Sequence, residues 1–169
     1  MSNDLFEQLV HDYSKSRNLF IVTASELFYS KYNLRELLPS MLNETEDTGL
    51  KELIYETLTN LDIQMLRIKT MMLLLHAEVL EQPKGAFSRL NQHDYLICNG
   101  SDENDFHKDW VLINQLLLIE AMEYQAFNIL FLVTQKLEDK QLCLLIMQTL
   151  RESKQSTKTL QQALRDRLT

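Results

Sequence analysis

Glu120 and Glu123 stand three residues apart in the apolar stretch LLLIEAMEYQAF. On a helix that spacing puts both side chains on one face. Ile113, Leu116, Phe127, Leu130 and Thr134 recur on the same face, which directs the two carboxylates toward a core. The alternative is a face shifted by one residue, with both in solvent. A buried carboxylate is costly unless it is paired or ligated, so an inward pair calls for metal ions or a cationic partner. Carboxylate-bridged dinuclear bundles take a Glu from each of two helices and a Glu-x-x-His from the other two. No histidine here stands three or four residues from a candidate glutamate: His11, His93 and His107 fall in terminal or loop regions, and His76 lies near a helix end. All four read as surface or packing residues.

Other chemistries lack their residues. The chain carries no glycine-rich phosphate loop, no GxSxG, no HExxH and no EF-hand loop. Cys143, in LCLLIM, and the seven methionines read as packing. With Cys98 it makes two cysteines and no CxxC, as expected of free thiols in a reducing compartment. The formal net charge of −7, without a basic stretch, opposes nucleic-acid binding. The N-terminus MSNDLFEQLVHDYS does not resemble a signal peptide. No unbroken apolar run approaches the roughly 18 residues of a membrane span. A cytoplasmic protein without membrane contact is expected.

The elements that must position the glutamates follow from period and punctuation. Among 169 residues there are three glycines and two prolines, and 45% of the residues are apolar. That favours a few long helices. Residues 1–17 predict a short amphipathic helix over about 3–16 (Leu5, Phe6, Leu9, Val10, Tyr13), with a polar break at Ser14–Arg17. A first long helix spans 18–43, with Phe20, Ala24, Leu27, Leu34, Leu38 and Met41 inward and Pro39 as a kink. A second spans 50–81 and ends at Pro83 and Gly85. Residues 82–107 form a long connection with room for a short helix near 86–92. Two further helices span 108–136 and 139–166, the last pointing Leu142, Ile146, Leu150, Leu160 and Leu164 inward. Short, long and short links predict a single all-α domain over residues 1–169: an up-down four-helix bundle with a long crossover between the second and third bundle helices.

Each inner stripe carries polar residues near its middle. They are Lys31 on the first helix, Asn60 and Gln64 beside the second stripe, Glu120 and Glu123 on the third, and Ser153 and Thr157 on the fourth with Glu152 beside them. A polar layer at mid-bundle is therefore expected.

Over residues 19–165 the sequence resembles the ferritin-like proteins of the YciE/YciF type, a domain of unknown function. LFIVTASELFYSKYNLRELLP, LKELIYETLTNLDIQMLRI, DWVLINQLLLIEAMEYQAF and LLIMQTLRESKQSTKTL match the family's four helical motifs in order. The resemblance implies the ferritin-like fold and a stress context. It also locates departures from the family pattern. Lys31 and Asn60 stand where the family has glutamates. Gln64 keeps its glutamine. Glu120-Ala121-Met122-Glu123 keeps both glutamates of an EHYE motif and loses its histidine. Glu152-Ser153 keeps one of two glutamates, and Thr157 replaces an aspartate. The layer then reads as a vestigial metal site of Lys31, Asn60, Gln64, Glu120, Glu123, Glu152 and Ser153, with the Lys31 ammonium paired to Glu120 or Glu123. The expected protein is metal-free and non-catalytic, without cofactor, and a homodimer. The alternative is a degenerate metalloprotein holding one iron or manganese ion through Glu120, Glu123 and Glu152. A DNA-compacting or iron-storage cage is opposed by the acidic charge and the lost ligands.

Overall fold

A computed structural model describes the backbone of residues 2–43, 45–81 and 105–168, and the side chains of 12–43, 45–81 and 108–167. The connection over 82–104, with its proposed short helix, Cys98 and His93, lies outside the described residues, as do the side chains of His11 and His107.

Four helices carry the fold: α1 (Ser2–Leu42), α2 (Thr48–Leu74), α3 (Asp105–Leu137) and α4 (Lys140–Leu168). No strand occurs among the described residues. The predicted N-terminal helix and first long helix are one continuous element. Ser14–Arg17 contains neither glycine nor proline, so nothing forces a break. Arg17 also ties this stretch to the far end of α2, donating from Nη2 to Leu75 O at 2.8 Å and to His76 O at 3.2 Å. α1 continues through Pro39 to Leu42.

α2 starts where Asp47 Oδ1 accepts from Leu50 N at 2.7 Å, satisfying one of the helix's open donors. It ends earlier than the apolar period predicts. His76 takes a left-handed conformation (φ 50°), His76 N donates to Leu73 O at 3.0 Å and Ala77 N to Met72 O at 2.9 Å. That pattern is the Schellman stop, here without its usual glycine. The apolar residues beyond it mislead the period, because Ala77 and Val79 leave the helix and still pack on the core. Leu80 N donates to Ser25 Oγ on α1 at 3.0 Å. A second left-handed residue, Glu138 (φ 55°), turns α3 into α4, where Asp139 Oδ1 caps the Gln141 and Leu142 amides.

α1 packs on α2 and α3, and α4 packs on α3 and, least extensively, on α2. All four neighbouring pairs are antiparallel, so α2 and α3 lie diagonally and run parallel. The end of α2 and the start of α3 therefore lie at opposite ends of the bundle, as the predicted long crossover requires. The core falls into two apolar clusters. One joins Phe20–Leu27, Ile68–Leu75, Ala126–Leu137, Leu142 and Ile146. The other joins Leu34–Met41, Leu50–Leu61, Leu112–Ile119 and Leu160. The gap between them, at the same height on every helix, is where the polar residues sit.

α3 is also apolar outside. From Lys108 to Leu137 it is long and apolar enough to cross a membrane by length and composition, and one-third of its most apolar window is buried. The expectation from unbroken apolar runs missed this, because Glu120 and Glu123 interrupt the run without much lowering its average.

Candidate functional site

The mid-bundle layer is built around Lys31. Its position on the α1 stripe, between Leu27 and Leu34, carries the side chain inward, and the residue is 1% exposed. The ammonium donates to Glu123 Oε2 at 2.5 Å and to Gln64 Oε1 at 2.6 Å, and lies 5.7 Å from the Phe127 ring centroid. Glu123 is 3% exposed. Its second oxygen accepts from Ser30 Oγ at 3.3 Å. Burial pushes the Glu123 carboxyl above the ordinary carboxylate range, and the nearby charge of Glu120 pushes the same way. The Lys31 charge and hydrogen bond and the Ser30 hydroxyl oppose them without cancelling them.

Glu120, one turn earlier, is half-buried and has a different partner set. Its oxygens accept from Ser153 Oγ at 2.7 Å and Ser156 Oγ at 2.8 Å, both on α4. Lys31 thus pairs with Glu123 and not with Glu120.

Glu152 is held by a residue the sequence reading passed over. Arg67, buried on α2, grips it with Nη1 at 2.6 Å and Nη2 at 2.9 Å, and Nη1 also donates to Thr149 Oγ1 at 3.1 Å. Burial pushes the Glu152 carboxyl upward, but the Arg67 hydrogen bonds and charge, with Gln148 and Lys31, outweigh it and hold the group below its ordinary range. Arg67 lies three residues beyond Gln64, so helical spacing from a predicted layer member was the available signal. Ser30, Thr149 and Ser156 were missed too. Buried serine and threonine hydroxyls commonly bond their own helix, and type alone does not mark those that reach across. Asn60 is exposed, at the mouth of the layer. Thr157 bonds back to Ser153 O at 2.9 Å.

Arg67→Met is expected to cost about 1–2 kcal/mol at neutral pH. The lower figure reflects screening, since the Glu152 side chain is more than one-third exposed. A lowered carboxyl contributes stability above the ordinary value of 4.5 and loses it as pH falls through the folded-state value. Urea titrations across the acid range should show this loss in the wild-type protein and a flatter profile in the variant.

A cleft of about 140 Å³ opens between α2 and α4, their loose packing leaving the space. Glu56, Asn60, Gln64, Glu120, Glu123, Glu152 and Ser156 are among the polar residues that line it.

A ferritin-like bundle implies a dinuclear metal centre at this height. The residues present do not fit one. The Lys31 ammonium already sits within hydrogen-bond distance of Glu123 and Gln64. Among the described residues no three His, Cys, Asp or Glu side chains converge as a metal would require. Glu120, Glu123 and Glu152 each face their own partners, so the set named for a single ion is not gathered at one point.

Antiparallel neighbours, a diagonal parallel pair and a polar layer at mid-height define a ferritin-like helical bundle. Residues 15–169 match the family described as a domain of unknown function (DUF892), and the chain belongs to that family. Two solved structures share the fold. The stress protein YciF of E. coli is similar with TM-score 0.81 and 18% identity, over 90% of this chain and 96% of that one. YcfI from Rhodopseudomonas palustris is similar with TM-score 0.76 and 15% identity, over 86% of this chain and 92% of that one. No curated protein matches the sequence.

Proposed function

We propose that this is a metal-free, non-catalytic ferritin-like protein of the cytoplasm, in which a buried ion pair occupies the height at which dinuclear relatives of the fold place their metals. The observation that carries the reading is the Lys31 ammonium, 1% exposed and bonded to Glu123 and Gln64. A fixed positive charge repels an incoming cation and uses the lone pairs that would ligate it. The similarity to a stress protein supports a role under stress. Protein purified without chelator should contain far less than one iron or manganese per chain by elemental analysis. A stoichiometric signal that disappears in Glu123→Ala would overturn the reading.

We propose also that two copies pair through the outside of α3. Leu118, Met122, Gln125, Ile129 and Leu132 are all exposed. Their spacing alternates four and three residues, the repeat of a coiled-coil seam. None carries charge, so a stripe on a chain of net charge −7 meets its copy without like-charge contact. Leu118 and Leu132 are equidistant from Gln125, so a two-fold axis at Gln125 sets each against the other, antiparallel. Light scattering should give twice the chain mass for the wild-type protein. Leu118→Glu with Leu132→Glu should give the chain mass with the helical circular dichroism intact. A monomeric wild type, or an unchanged mass in the folded variant, would refute the pairing.

A further inference from the structure

The Gln64 carboxamide has its orientation set by Lys31. An ammonium offers only donors, so the amide oxygen must face it and the amide nitrogen must turn away. Gln64 is 7% exposed and lines the cleft between α2 and α4. Its oxygen is taken by Lys31 at 2.6 Å, and Nε2 has no acceptor among the described residues. Nε2 is not sealed from solvent, so it faces the cleft as a donor for whatever accepts from it there.

Glu120 lines the same cleft. Two neutral hydroxyls hold it, and among the described residues no cation is paired with it. The layer's other two carboxylates are matched, Glu123 by Lys31 and Glu152 by Arg67. The polar side of the cleft therefore offers the unneutralised Glu120 carboxylate and the Gln64 amide donor, and the exposed Glu56 lines it as a further carboxylate. Leu61, Leu116 and Leu160 supply an apolar lining. A volume of about 140 Å³ is close to the roughly 150 Å³ cavity that admits benzene, so a handful of heavy atoms fits. Water could satisfy Gln64, but it would bring no positive charge to Glu120 and would wet the leucines.

We propose that this cleft binds a short-chain amino alcohol: its ammonium against Glu120, its oxygen accepting from Gln64 Nε2, its methylenes on Leu61, Leu116 and Leu160. The inference rests on the metal-free reading, since a metal at Glu120 or Glu123 would take the same place. The full chain, with iron and manganese quantified first and then treated with chelator, is titrated by amide NMR with aminopropanol, butylamine and butanol, which have equal numbers of heavy atoms. Aminopropanol should bind in the millimolar range and shift the Gln64, Glu120, Ser153 and Ser156 resonances. Butylamine should bind more weakly, and butanol more weakly still. Glu120→Gln, which can still meet both serines, should lower aminopropanol affinity about tenfold or more with unchanged circular dichroism. Equal binding of butanol, an unaffected Glu120→Gln variant, or no shift with any probe would overturn the proposal. The metal count taken beforehand decides the metal-free reading separately, so failure on metal-free protein sinks this inference alone.

Discussion

Replacing Lys31 with methionine is expected to lower the free energy of unfolding by about 3–5 kcal/mol at neutral pH, a large part of the roughly 5–15 kcal/mol of an ordinary domain. Methionine has similar length and no charge, so packing changes little. What changes is Glu123, 3% exposed and left with no charged partner, only the Ser30 hydroxyl at 3.3 Å. The penalty has a definite dependence on pH. Burial already holds the Glu123 carboxyl above the ordinary 4.5, and removing Lys31 lifts it further. The folded chain then keeps its proton to higher pH than the unfolded chain. Stability is fully present below the unfolded value and is lost as pH rises through the folded one. Denaturant titrations should therefore find a smaller cost at about pH 5 than at about pH 8. A cost that grows on acidification would contradict the assignment.

Phe127→Ala is the second large effect, also about 3–5 kcal/mol. The ring is 1% exposed, in the apolar cluster just beyond the polar layer. Its removal leaves a cavity bounded by that cluster and forfeits the face presented to the Lys31 ammonium at 5.7 Å, a contact worth about 0.5–2 kcal/mol depending on its desolvation. Phe127→Leu keeps most of the apolar volume and should cost clearly less. Urea midpoints for the two variants check the order. Equal costs would mean that the ring does not pack as described.

The stripes and the layer were legible because burial is demanding. Phe20, Ala24, Leu27, Leu34 and Leu38 on α1, and Ile113, Leu116, Phe127 and Leu130 on α3, are all buried as their period requires. A lysine or glutamate on such a stripe cannot escape inward placement without moving its helix. Lys31, Gln64, Glu123 and Ser153 were therefore found. The misses have physical causes too. Arg67 sits beside the apolar stripe and reaches its partner with a long side chain, so position alone does not show where its charge ends. Asn60 lies four residues from Gln64, at the solvent-facing edge of the helix. The end of α2 depends on a left-handed histidine, which neither composition nor period marks. Continuity through Ser14–Arg17 depends on a tertiary anchor, Arg17 on the carbonyls of Leu75 and His76, far away in sequence.

The bundle closes its polar middle with its own charges, and a double-mutant cycle on Lys31 and Glu123 shows whether those charges meet. Stability is measured for the wild-type chain, Lys31→Met, Glu123→Met and the double variant at neutral pH. Each single change strands a buried charge, whereas the double change replaces the pair with apolar side chains, a substitution often neutral or stabilising. The double variant should be more stable than either single one, with a coupling of about 2 kcal/mol or more. Additivity within about 0.5 kcal/mol would show that the two charges do not meet, and would contradict that closure.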